Sequence, residues 1–187
     1  MIAPIILASQ SPRRKQLLEW AEVPFTIVIQ STDESFPATM PPEEVPVYIA
    51  TNKAIAVQAM VGNQVPVLAA DTVVVLGNTI INKPTNREDA IRILSSLSGQ
   101  KHRVITGVVI MSATKTISFA DITEVEFHSL TGEQIIFYVD KYAPYDKAGA
   151  YAIQEWIGVV GIKSINGDFY NVMGLPVSRV VQALQEL

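Results

Sequence analysis

The chain has 187 residues, 49% of them hydrophobic, with a net charge of −4 and a pI near 5.2. That suits one large domain or two intimate lobes around a real core, and leaves no general basic field to hold a nucleic-acid backbone. With no cysteine, disulfides, thiolate metal sites and cysteine nucleophiles are excluded. No apolar run approaches a membrane span. The N-terminal apolar stretch is followed, not preceded, by arginines. It reads as a buried first strand rather than a signal peptide, and a soluble cytoplasmic protein is expected.

Elements alternate along the chain. PIILAS is a strand, and SPRRKQLLEW opens a helix with Ser11 as N-cap and Pro12 in the first helical position. FTIVIQ is a second strand. EEVPVYIATNKAIAVQAMV is a long helix in which Pro46 is tolerated only near the start. VPVLAADTVVVL is nearly continuous and apolar, as in a strand covered on both faces, and Gly77-Asn78 turns it back into TIINK. TNRE (Thr85 to Glu88) has the pattern of a capping box for a helix reaching about Leu97 and stopping at Gly99. HRVITGVVIM and TISFADITEVEFHSL are long strands rich in β-branched residues. TGEQ starts another helix at Thr131. YDKAGAYAIQ is a loop entering a short element. Asn166-Gly167 carries a hairpin signal between IGVVGIKSI and DFYNVMG, and Pro176 to Leu187 closes as a helix. The pattern predicts an α/β protein with a mixed sheet.

Four places break local rules, and sites tend to sit where such consistency fails. Arg13 and Arg14 lie in the first turn of a helix, whose free N–H groups already carry partial positive charge. A bound anion, a polyphosphate above all, would reverse that penalty, with Ser9 and Ser11 hydroxyls adding contacts. A solvated pair, or ion pairs to Glu19 or another acid, is the alternative. Lys53 falls on the apolar row of Ile49 and Val57. It either snorkels to water or points at negative charge. Asp71 interrupts a buried strand, where a carboxylate needs a partner, a hydrogen bond or a metal. Lys83 is held extended by Pro84, and counting from the Gly77-Asn78 turn places it roughly opposite Thr72 or Val73; the alternative is a simple surface ion pair. The acidic loop STDES adds Asp33 and Glu34. An acid there could hold Mg2+ or Mn2+ together with Asp71, although such loops are usually just solvated. His102 and His128 are too few and too separated for a zinc site.

LASQSPRRKQLL, DES, AADTVV, NKP, LSGQKHRVITGV, DKAGAYAIQ and GDFYNVMGLP, in this order over nearly the whole chain, resemble the Maf family of septum-formation-inhibitor-like nucleotide pyrophosphatases. The resemblance implies a single Maf-like domain over residues 1–187. Its fold would be α/β, a mixed twisted sheet in two lobes with helices outside, similar to inosine triphosphate pyrophosphatases, with the active-site cleft between the lobes. It implies divalent-metal-assisted hydrolysis of a nucleoside triphosphate to the monophosphate and pyrophosphate. DKAGAYAIQ resembles the branch acting on dTTP and UTP. The alternatives are a pyrophosphatase for 7-methyl-GTP or other modified nucleotides, and a non-hydrolytic nucleotide-binding regulator of cell division.

By the same resemblance Asp71 matches the proton acceptor. Arg13, Thr72 and Gln154 match positions associated with substrate choice, and Arg14, Glu34, Lys53 and Lys83 match those lining the triphosphate and metal site. Ser9 joins the substrate-binding set, and Glu34 with Asp71 the metal set. The expected partner is the nucleoside triphosphate, with no nucleic acid and no membrane; a homodimer is compatible with the resemblance. Two departures stand out. Gln16 replaces a usual acid near the arginines. EWIG follows Gln154 where a small, glycine-rich segment is usual, which would bring Trp156 toward the base pocket.

Overall fold

A computed structural model describes residues 2–187. Seven strands form one mixed sheet in the order β2-β1-β3-β5-β6-β7, with β4 paired to β3. They are β1 (Ile5–Leu7), β2 (Phe25–Ile27), β3 (Val67–Leu76), β4 (Thr79–Ile81), β5 (Lys101–Met111), β6 (Thr116–Phe127) and β7 (Ile162–Asn166). β1 runs parallel to β2 and to β3, while β3–β4 and β6–β7 are antiparallel. The helices are α1 (Pro12–Trp20), α2 (Val45–Val61), α3 (Arg87–Leu97), α4 (Gly132–Tyr142), α5 (Trp156–Gly161), α6 (Phe169–Met173) and α7 (Val177–Gln185). Among the described residues no helix is long and apolar enough to cross a membrane.

The chain divides into two compact units. The first comprises residues 2–72, Thr106–Asp121 and Gly174–Leu187. Its core joins Ile6 and Ala8 of the first strand region to Ala50, Ala54 and Val57 of α2, and to Val67, Ala69, Val109 and Met111. α2 is pressed so close to β5 that there is no room for a side chain at Gly107. A Cβ there would lie 2.2 Å from the Val47 backbone nitrogen and 2.5 Å from the Pro46 carbonyl oxygen. Pro46 sits within the first turn of α2, where its missing N–H breaks no helical bond.

The second unit comprises Val73–Ile105 and Ile122–Met173. α3 packs against α4 and against the 3-10 turn at Ala148–Ala150, and a smaller core joins Val74, Val104 and Val125. His102 is buried beside Phe127 and Tyr151, its Nε2 2.7 Å from the Tyr151 hydroxyl. It is a core histidine, packed between two aromatic rings.

Two local readings are corrected. The α3 cap is Asn86, not Thr85: its side chain accepts from the Asp89 N–H, and Asp89 in turn accepts from the Thr85 N–H. The cap is therefore one residue later than TNRE suggests, because Asn caps as well as Thr, and the return bond reaches the N–H before the cap rather than closing a capping box. Asn166-Gly167 does not join two strands. The Asp168 carboxylate accepts from the N–H groups of Tyr170 and Asn171, so DFYNVM starts as a helix, α6. IGVV before β7 is likewise helical, as α5.

Replacing Gly107 by Ala should destabilise the protein by about 1–3 kcal/mol through backbone displacement of α2, read as a lower urea midpoint. A second expectation concerns pH. Burial pulls His102 down to about 4 from its ordinary 6.5. Between these values the unfolded chain binds the proton and the folded one does not. The contribution is therefore complete above about pH 6.5 and is lost as pH falls toward 4, by up to about 3 kcal/mol. Urea midpoints across that range, compared with His102→Phe, read it directly; an identical decline in the variant would rule out His102 as its source.

Candidate active site

The site is built from the first unit, around a buried arginine. Ser11 caps α1 by accepting from the Arg14 N–H, and Ser9 Oγ accepts from the Ser11 N–H. This tight turn after β1 sends the Arg14 side chain inward. There its Nε donates to the Gly174 carbonyl at 2.8 Å, one terminal nitrogen to Ser9 Oγ at 3.2 Å and the other to Thr72 Oγ1 at 2.9 Å. All three acceptors are uncharged. Burial holds the Arg14 guanidinium below its ordinary pKa; the field of Asp71 opposes this, Arg13 adds to it, and Glu34 opposes it. Arg13 lies less deep than Arg14, so the two adjacent arginines are not equivalent.

The second feature is Lys53. It does not snorkel to water. From α2 its ammonium reaches Asp71 Oδ1 at 2.8 Å and Glu34 Oε1 at 2.7 Å. The lysine and Asp71 side chains are only 18% and 16% exposed, whereas Glu34 is 51% exposed. The Asp71 contact is therefore the more shielded one, less screened by water than the contact to Glu34. Asp71 Oδ2 carries no hydrogen bond from the described residues. Arg13, Arg14 and Lys53 against Asp71 and Glu34 leave one positive charge in excess, which suits an anionic ligand.

Two carboxylates thus converge on a single cation. Among the described residues no cluster of three or more His, Cys, Asp or Glu could hold a metal unaided. The donor set nevertheless fits a hard divalent ion, since Mg2+ is commonly held by one or two carboxylates with phosphate oxygens completing its shell.

Thr106 was missed by sequence reasoning. It is fully buried in β5, and its hydroxyl lies 2.9 Å from Thr72 Oγ1. It thereby supports the hydroxyl that accepts from Arg14. The available signal was a lone hydroxyl in the apolar run VITGVVI, which needs a partner once buried.

Ser9, Arg14, Thr72, Lys53, Asp71 and Glu34 therefore belong to linked networks in one unit. Lys83 and Gln154 belong to the second unit. Lys83 lies two residues beyond the end of β4 and is exposed. Gln154 is exposed in the turn before α5. Trp156 packs edge-on against Phe137 of α4, ring centroids 4.8 Å apart.

Comparison with known proteins adds to this geometry. A family profile described as Maf-like protein matches residues 4–187. The chain belongs to the Maf-like family. A dTTP/UTP pyrophosphatase of Cytophaga hutchinsonii is 49% identical over 183 residues, covering 98% of this chain and 84% of the relative. One from Bacteroides fragilis strain YCH46 is 45% identical over 184 residues, covering 98% and 95%. Among solved structures, a HAM1 protein from Coxiella burnetii aligns over 100% of both chains with a TM-score of 0.54 at 19% identity. The Staphylococcus aureus Ham1 protein aligns over 98% of both with a TM-score of 0.54 at 15% identity. These two likenesses bear on the fold, and they agree with the expected α/β architecture with a mixed sheet.

Arg14→Lys should cost about 2 kcal/mol of stability in urea unfolding, because an ammonium cannot reach three divergent acceptors at once. A change within about 0.5 kcal/mol, the usual range for surface substitutions, would show that the fork contributes little to the fold.

Proposed function

We propose that this Maf-like protein hydrolyses dTTP and UTP to the nucleoside monophosphate and pyrophosphate, with Asp71 as general base. The observation that carries the reading is the Lys53 ammonium shared by Asp71 and Glu34, within the electrostatic reach of Arg14. Support comes from the names of relatives 45–49% identical over nearly the whole chain.

Lys53 orients Asp71 through Oδ1, which leaves Oδ2 to accept a proton from the attacking water. The water oxygen bonds to phosphorus as the α–β bridging P–O bond breaks, and pyrophosphate leaves. Three of the guanidinium N–H donors of Arg14 are engaged, and the other two stay available to phosphate oxygens. Arg13, Lys53 and Lys83 add positive charge for the developing anion, and Ser9 and Thr72 hold Arg14 in place. Mg2+ or Mn2+ bound through Glu34 and Asp71 would supply further neutralisation of phosphate charge. Gln154 reads the base: one amide presents a donor and an acceptor, matching O4 and N3–H of uracil or thymine. Intracellular nucleotides as substrates go with a cytoplasmic location.

The test is pyrophosphate release from dTTP, UTP, CTP, GTP and 7-methyl-GTP, with and without Mg2+, by wild type and Asp71→Asn. Metal-dependent release from dTTP and UTP, reduced about 10²–10⁴-fold in the variant, is expected. Near-wild-type turnover by Asp71→Asn would remove the general base. Tight nucleotide binding without release would turn the reading toward a sequestering regulator.

A further inference from the structure

The segment around Gln154 is built with more care than an exposed loop needs. Its flanks are pinned from below by Tyr138 of α4, which is fully buried. The Tyr138 hydroxyl accepts from the Ala152 N–H at 3.1 Å and donates to a Glu155 carboxylate oxygen. Lys147 is itself largely buried; its ammonium lies 3.8 Å from the other Glu155 oxygen and 2.7 Å from Asp146 Oδ1. The backbone closes the same turn: the Glu155 N–H donates to the Ala152 carbonyl at 3.1 Å, and the Gly158 N–H to the Glu155 carbonyl at 2.9 Å. Only glycine fits at position 158, where a Cβ would fall 1.7 Å from the Ile153 carbonyl oxygen.

Within this clamp Ala152 and Ile153 are buried, and Gln154 is exposed, with no side-chain hydrogen bond among the described residues. An unpartnered amide on a pinned backbone is preorganised: on binding, its own rotamers must be ordered but the turn need not be. The clamp also explains why a partly shielded carboxylate is retained next to it. Glu155 bridges a hydroxyl that grips residue 152 and a lysine from the preceding loop, and its own charge is compensated there.

We propose that Glu155 is a positioning residue for Gln154: with Tyr138 and Lys147 it fixes the turn that presents the Gln154 amide to the nucleotide base. This rests on the reading of Gln154 as the base-reading residue.

Steady-state kinetics on UTP, dTTP and CTP would compare wild type, Gln154→Ala, Glu155→Ala, Glu155→Gln, Tyr138→Phe and the Glu155→Ala/Gln154→Ala double variant. Glu155→Ala and Tyr138→Phe should raise KM for UTP and dTTP about tenfold with kcat nearly unchanged, and lower the preference for UTP over CTP. Glu155→Gln, which keeps an acceptor for the Tyr138 hydroxyl, should recover part of the loss. The double variant should be no worse than Gln154→Ala alone. Additive losses, or a Glu155→Ala effect on kcat alone, overturn the proposal while leaving Gln154 as base reader. If Gln154→Ala itself leaves the preference unchanged, base reading falls and the proposal with it. Should Glu155→Ala not fold, Tyr138→Phe, which keeps the buried ring, carries the same comparison with its own double variant.

Discussion

Everything around the site depends on keeping a guanidinium inside the protein with only uncharged acceptors in contact. Burial, aided by Arg13, pulls the Arg14 pKa down, and such a charge is tolerated only where its donors are met and opposite charge stands nearby. The molecule meets the first condition with Ser9, Thr72 and the Gly174 carbonyl, drawn from three distant parts of the chain. It meets the second at longer range, through Asp71 and Glu34. The shape of α1, the hydroxyl pair Thr72–Thr106 and the return of the chain at Gly174 are all conditions of that one placement.

The same logic runs through the other cations. Lys53 is short of water, and two carboxylates compensate it; Lys147 is largely buried, and Asp146 and Glu155 do so. One arrangement engages Asp71 through Oδ1. The other holds a turn still so that a neutral amide stands clear of it. Compensated, partly buried lysines thus recur in both units.

Much of this was legible in the chain. Arg14, Lys53 and Asp71 each violate a local rule, and each proves to be held by a specific partner. The strand and helix order was readable because period and turn chemistry agreed, down to the cap at Ser11 and the capping box at Thr131. The α3 cap and the α6 helix were misread because Thr, Asn and Asp offer similar capping groups within one or two residues. Which of them closes a ring is decided by backbone conformation, and the letters alone do not carry it. Thr106 was passed over for another reason: a threonine in a β-branched run is also a good strand former, so its lone hydroxyl among apolar residues was a weak signal. The Tyr138–Glu155 contact joins positions whose association depends on how α4 and the turn before α5 meet, and no spacing rule reports that.

The close approach of α2 to β5 at Gly107 bears on the charges of the site. A main-chain stop sets how far along the strand the helix can slide, whatever apolar residues line the space between them. Ile49, Ala50, Ala54 and Val57 fill the rest of that contact as buried core, but the main-chain approach at Gly107 fixes the spacing independently of them. The height of the Lys53 ammonium over Asp71 depends on that spacing. A glycine with no part in the chemistry is thus one of the residues that hold the charges in register.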